Sequence, residues 1–372
     1  MIKSLLTDVD PVLIESQYQQ LNESDVEERA AAAVALFDPE TAPAYLSEAV
    51  IEDSACLGTA LIEQTNQTTG LFRTSAIGQD SKLYFGSYIG GIYYLDNDGQ
   101  IKQTNQTDED FYCAAMGQDG KLYFGSFLED IYYLDNDGQI KQTNQTNKTF
   151  TCAAMGQDGK LYFGGSPGMG IYYHDSDGQI KPTNLTDVSF TSMAMGQDGK
   201  LYFGGLGTGS GVGIYYLDSD GQVKQTNQTD GVFLSGTIGQ NGKLYFGSDN
   251  RGIYYLDSDG LIKQTNQTVG FFSPSAVGQD GKLYFGDTGI YYLDNDGQVK
   301  QTNQTAGQFI TSAIGQDGKL YFGGDTGIYY LDNDGQIKQT NQTAGYFRTS
   351  AIGQDGRLYF GSNEGIYRLN FV

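Results

Sequence analysis

The nine-residue stretch Gly-Gln-Asp-Gly-Lys-Leu-Tyr-Phe-Gly at residues 117–125 recurs nearly letter for letter eight times. The copies begin at Gly78, Gly117, Gly156, Gly196, Gly239, Gly278, Gly315 and Gly353. Each has a Phe six residues upstream and, downstream, Ile-Tyr-Tyr-Leu-Asp-x-Asp-Gly or a close variant, followed in most copies by a polar run ending in Gln-Thr-Asn-Gln-Thr. A chain that repeats one unit at this spacing must stack one supersecondary element, as a solenoid, an array or a propeller, and the period inside the unit decides which.

That period belongs to strands. In the unit starting at Phe309, four segments of strand length follow one another: Phe-Ile-Thr-Ser-Ala-Ile, Lys-Leu-Tyr-Phe, Ile-Tyr-Tyr-Leu and Gln-Ile-Lys-Gln-Thr-Asn-Gln-Thr. Each is aromatic, β-branched or alternating. Asp-Gly stands between the first and second and again between the third and fourth, supplying the positive φ of a tight hairpin. Four antiparallel strands in roughly 40 residues make the blade of a β-propeller. The eighth unit has three strands, and an unmatched fourth lies at residues 59–68, ahead of the first complete unit. The sequence therefore predicts an all-β, eight-bladed β-propeller of four-stranded antiparallel blades over residues 58–372, closed by an N-terminal strand that removes two free sheet edges.

Residues 1–57 differ in composition. Asp10-Pro11, Ser24-Asp25-Val26-Glu27 and Asp38-Pro39 are helix-start patterns, so a small α-helical N-terminal extension is expected. It would cap the ring or serve dimerisation or docking.

Within the ring, every length change falls between the second and third strands, for example residues 87–91 in the first unit and 205–213 in the fourth. Up-and-down connectivity puts these loops, with the linkers between blades, on one face. The Asp-Gly tips lie on the other, as an acidic ring. Small first strands such as Thr74-Ser75-Ala76-Ile77 suit the crowded centre. Lys-bearing fourth strands suit the outer edge, and paired tyrosines such as Tyr93-Tyr94 fill the space between blades.

A formal charge of −23 repels a nucleic-acid backbone or an anionic membrane over most of the surface, and no apolar run is long enough to span a bilayer. Residues 1–14 lack the features of a secretory signal, so a cytoplasmic location is expected. On that expectation the Asn-Gln-Thr triplets are not glycosylation acceptors, and the Asp-x-Asp-Gly tips, lacking a further bidentate Glu, are turns and not Ca²⁺ sites. Cys113 and Cys152 occupy one slot in adjacent blades, filled by Thr or Ser in five others, which reads as small buried packing in preference to a redox pair. His174 is the only histidine, so no triad or His cluster can form, and no acid or nucleophile stands out from its repeat equivalents.

The run Thr-Ser-Ala-x-Gly-Gln-Asp-Gly-Lys-Leu-Tyr-Phe-Gly-Ser, followed by Gly-Ile-Tyr-Tyr-Leu-Asp-x-Asp-Gly, resembles the repeat of bacterial sensor-type propellers. It is similar also to quinoprotein-like repeats and, more distantly, to tachylectin-like lectin propellers. The resemblance implies an eight-bladed ring. This chain has no Trp, where those families use it, so no cofactor and no dehydrogenase activity is expected.

The expectation is a non-enzymatic binding module or scaffold recognising a protein or glycan. The alternative is a multivalent lectin-like binder with one weak site per blade, and an enzyme is the weakest reading. Oligomerisation through the N-terminal helices is compatible with either binding role. Candidate ligand-binding residues are those that break the repeat on the loop face: Tyr88, Phe127, Leu128, Met169 and Arg251, with Arg73, Tyr112 and Arg348 beside the recurring Phe. No metal ligands and no catalytic residues are expected.

Overall fold

The computed structural model describes residues 60–371 apart from 128–129, 147, 167 and 207–211. The expected N-terminal helices and Leu128 lie outside the described residues. The ring belongs to a compact unit spanning Thr59–Val372.

The described residues form strands β1 to β32, grouped into eight antiparallel four-stranded sheets. The first blade shows the plan, with β2 (Phe72–Ile77), β3 (Leu83–Ser87), β4 (Ile92–Leu95) and β5 (Ile101–Gln103) in that order from centre to edge. The last blade consists of β30 (Phe347–Ile352), β31 (Leu358–Ser362) and β32 (Gly365–Phe371), and its outer strand is β1 (Ala60–Gln64). β1 pairs antiparallel with β32 from Ala60↔Phe371 to Gln64↔Tyr367, so the ring closes with the expected N-terminal strand.

The turns are built more specifically than a two-residue hairpin. In the second blade Gly117 N–H donates to the Lys121 carbonyl (2.8 Å) and Gly120 N–H to the Gly117 carbonyl (3.0 Å). Gly120, at φ 76°, is left-handed, whereas Asp119 is not. The Asp side chain has a separate task, since its Oδ2 accepts from the Tyr123 hydroxyl at 2.9 Å. The same Asp–Tyr latch recurs in seven blades, and Asn241 replaces the Asp on Tyr245. The expected acidic ring on this face divides into paired and exposed carboxylates, the second Asp of each tip, such as Asp98 and Asp137, remaining exposed. Asp96 Oδ1 accepts from the backbone N–H of Asp98 (2.9 Å) and Gln100 (2.8 Å), and its Oδ2 pairs with Lys102 at 2.5 Å. That Lys hydrogen bond, with the two backbone donors, holds the Asp96 carboxyl below the usual carboxylate range.

The polar fourth segment also departs from expectation. In the first blade the strand ends at Gln103, and Thr104 Oγ1 donates to the Ile92 carbonyl (2.9 Å), turning the chain out of the sheet. The following Asn then reaches the next blade. Asn105 Nδ2 donates to the Ile140 carbonyl (2.9 Å) while its Oδ1 accepts from Ile140 N–H (2.7 Å). Equivalent two-bond clamps join outer strands around the ring, including Asn341 to Ile62 of β1 and Asn66 of the last blade to Ile101 of the first. These amides are committed to the backbone of a neighbour, which gives the Asn-Gln-Thr repeat a structural purpose.

A second set of clamps works from the hairpin tips. Gln79 Oε1 accepts from Leu122 N–H (3.0 Å) and its Nε2 donates to the Leu134 carbonyl (2.6 Å), both in the next blade. Gln354 does the same from the last blade to Leu83 and Leu95 of the first. A buried backbone donor and acceptor at every junction are thereby paired, as burial requires.

Hydrophobic burial lies between blades. Phe72, Leu83, Phe85, Leu95 and Ile101 pack with Tyr359 and Ile366 of the preceding blade in one such layer. Tyr84 meets Phe124 of the next blade edge-on at 6.3 Å, and Tyr359 meets Phe85 likewise. The Tyr pair divides as expected: Tyr93 packs edge-on to Phe72 (5.4 Å) and Tyr94 lies against Tyr84 (5.9 Å). Gly86 is required by this contact, because a Cβ there would stand 2.7 Å from Phe111 Cβ of the next blade. Cys113 and Cys152 are free and buried; burial pushes the Cys113 thiol up to about 12 and raises that of Cys152 as well. Among the described residues no group of acids, His and Cys is arranged to hold a metal ion.

Candidate binding surface

In seven of the eight blades a buried Phe at or near the start of the innermost strand is followed by a bulge; the sixth, whose inner strand starts at Ser273, lacks it. In the first blade Phe72 faces Ser87 and Thr74 faces Gly86, leaving Arg73 between them unpaired in the ladder. The same shift occurs at Phe111/Cys113, Phe150/Cys152, Phe190/Ser192, Phe233/Ser235, Phe309/Thr311 and Phe347/Thr349. A bulge re-aims the extra residue away from the sheet. The bulge positions read Arg73, Tyr112, Thr151, Thr191, Leu234, Ile310 and Arg348. Large cationic or aromatic groups occur there only in the last, first and second blades, which are consecutive around the closed ring.

In that sector the side chains meet. The Arg73 guanidinium lies over two rings, 4.5 Å from the Tyr88 centroid and 4.4 Å from that of Tyr112. Tyr88 meets Tyr112 edge-on at 6.1 Å, and Tyr112 stacks on Phe127 at 5.2 Å. Tyr88 is placed by its own N–H, which donates to the Leu71 carbonyl at 2.7 Å, and Phe127 by its pairing with Asp110. Arg348 lies over Tyr346 at 4.3 Å. Tyr346 in turn is held through its hydroxyl, which donates to Gln308 Oε1 (2.9 Å), and its N–H, which donates to Asn363 Oδ1 (3.1 Å).

Neither guanidinium of the patch is ion-paired. Arg73 and Arg348 have no hydrogen bond and no ion pair among the described residues, and the Nε of each is buried without a partner. Burial depresses the Arg348 guanidinium, with Arg73 adding to the effect. Burial raises the Tyr112 hydroxyl, which Arg73 opposes. Asp110 is within electrostatic range of Arg73, yet desolvation still raises its carboxyl above the usual range.

The structure thus brings Arg73, Tyr88, Tyr112 and Phe127 into one group, with Arg348 in the adjoining blade. Met169 and Arg251 lie in the third and fifth blades. Met169 is half-buried in its loop against Gly165. Arg251 is exposed but spent on Asp230, Nη1 to Oδ2 at 2.6 Å. Tyr346 is the member of the group that repeat-breaking alone did not single out, although it precedes a bulged Phe-Arg pair as a signal.

His174, the only histidine, is far from this surface in role. It replaces the Leu of the third strand and is buried at 4% exposure. Gln118 Nε2 donates to its Nδ1 (2.6 Å), so the proton sits on Nε2, facing the Tyr123 hydroxyl at 3.0 Å. Burial holds its pKa below the usual imidazole value.

No family model matches the chain and no curated protein does. Among solved structures the chain is similar to other propellers. The Dos1 propeller has 14% identity over 86% of this chain and 96% of that one, with a TM-score of 0.61. A catalytically inactive variant of virginiamycin B lyase from Staphylococcus aureus with quinupristin has 18% identity over 73% and 97%, with a TM-score of 0.55. The extracellular domain of a putative hybrid two-component system from B. thetaiotaomicron has 15% identity over 80% and 51%, with a TM-score of 0.52. At these identities the likeness establishes the propeller fold, which one of these proteins uses for catalysis.

Proposed function

We propose that this chain is a non-enzymatic binding protein whose loop face recognises a macromolecular partner, with the sector formed by the last, first and second blades as its contact. One observation carries the reading: Arg73, Tyr88, Tyr112, Phe127 and Arg348, all breaks in the repeat, fall in three consecutive blades as aromatic and guanidinium groups, while the repeated polar residues are committed to turns, latches and clamps. Aromatic rings and Arg are the usual anchors of interfaces. A catalytic role has less support, because the one His is buried between blades and bonded on both ring nitrogens. The cytoplasmic location remains part of this proposal.

Two variants test it by comparing faces. Tyr88→Ala/Phe127→Ala alters the loop face within the proposed sector, and Asp137→Asn/Asp177→Asn/Asp220→Asn alters exposed tip residues outside the Asp–Tyr latches. Partners captured by quantitative cross-linking should be lost only from the first. Loss only from the second would transfer the function to the tip face. A saturable signal on a glycan array would replace a protein partner with the lectin-like reading.

A further inference from the structure

The patch has an electrostatic property that its use as a contact surface does not by itself require. In a chain with 45 acidic and 22 basic residues, two guanidiniums in adjacent blades stand without a carboxylate at ion-pair distance among the described residues. Most other described cations are matched, such as Lys82 with Asp80, Lys102 with Asp96 and Arg251 with Asp230, and the exception, Lys148, lies alone over Tyr172 in the third blade. Burying part of a guanidinium without a counter-charge is costly, and a folded surface that does so at neighbouring positions is complementary to an anion.

Ring contacts engage both guanidiniums. Tyr88 and Tyr112 lie against Arg73, and Tyr346 lies against Arg348. Stacking uses the faces of the planar group and leaves its in-plane N–H donors free for a bidentate oxyanion. The Nε of each Arg is buried without a partner, so the donors an outside oxyanion can reach are the terminal Nη groups of these half-buried side chains.

We infer that Arg73 and Arg348 form an oxyanion subsite that receives a carboxylate or phosphate group of the ligand, with Tyr88, Tyr112, Phe127 and Tyr346 taking an apolar or aromatic body beside it. This deepens the proposed function and rests on the same patch being a binding site. The rest of the surface is negative, which favours a ligand bearing one compact anionic group over a polyanion such as nucleic acid.

Phenyl phosphate and benzoate, each a ring carrying one oxyanion, are the probes, and benzyl alcohol is the neutral control. Calorimetry on the full chain at low ionic strength should show saturable one-to-one binding of at least one oxyanion probe, and none of benzyl alcohol. Preference for phenyl phosphate assigns a phosphate, and preference for benzoate a carboxylate. Arg73→Gln/Arg348→Gln should weaken binding about tenfold or more. Arg73→Lys, which keeps the charge but not the fork, should fall between, and Arg251→Gln should bind as the wild type does. The Lys variant keeps the test valid if the double variant does not fold.

Absence of saturable binding up to about 10 mM, weaker than the millimolar range of a minimal contact, overturns the inference. So does equal binding by the double variant. If the oxyanions fail while the loop-face variant still loses its partners, the subsite is wrong and the binding face stands. If they bind while that variant keeps every partner, the subsite stands and the macromolecular reading falls.

Discussion

At the residue scale, the departures from the repeat separate into those that repair packing and those that create a surface. His174 belongs to the first kind. Its neutral form is the one that fits between Gln118 and Tyr123, and burial keeps its pKa below that of the unfolded chain. The unfolded state therefore takes up the proton first as pH falls, and stability should decline below about pH 6.5 and level off below the folded pKa. His174→Leu, restoring the residue used at Leu134 and Leu217, should raise the melting temperature and remove that step from its pH dependence; an unchanged pH profile would refute this role. Ser81 shows the opposite economy. It occupies the turn position that is Gly in the other copies and takes a φ of 66°. Ser81→Gly should stabilise by about 1 kcal/mol, read from denaturant midpoints, because Gly adopts this conformation without Cβ strain. Cys113 and Cys152 are packing residues with thiols raised by burial. In a Cys56→Ser chain, native protein at pH 8 should show no thiol reactive to Ellman's reagent until it is unfolded.

At the element scale, the blades are joined by paired amides as much as by aromatic packing. Gln354→Ala would leave Leu83 N–H and the Leu95 carbonyl unpaired at the seam between the last and first blades. A loss of about 1–3 kcal/mol is expected, measured against the same change at Gln240, where the junction is interior to the chain. Deleting residues 59–68 removes the whole of β1 with its ladder and the clamps at Ile62 and Asn66, and should cost several kcal/mol and expose the edge of β32 to association. Unchanged melting and monomeric elution would contradict closure by this strand. β1 and the seam were legible in the sequence because strand period and turn residues are local signals. The clamps were not: Gln79 and Asn105 look like surface polar residues, and only the position of the next blade shows that their amides meet buried backbone groups.

At the scale of the whole molecule, an eightfold scaffold carries one sector that is not eightfold. The candidate residues were visible as breaks in the repeat, yet their grouping was only partly so. Arg73, Tyr112 and Arg348 share a bulge whose re-aiming of side chains leaves no mark in composition. Arg251, equally conspicuous in sequence, is neutralised by Asp230 across its own loop. On the tip face the first Asp of each Asp-x-Asp pair is paired with Lys, as Asp96 with Lys102, between strands that only the hairpin brings together, while the second, as Asp98 or Asp137, stays exposed. The central claim, that the sector of the last, first and second blades is the working surface, is tested most directly by moving the same perturbation around the ring. Arg73→Gln/Tyr112→Ala/Arg348→Gln alters the bulge positions of that sector, and Thr151→Ala/Thr191→Ala/Leu234→Ala alters the bulge positions of the next three blades. Quantitative capture of partners by the two variants, with matched thermal stability, should show loss for the first alone; equal retention or equal loss would contradict the account.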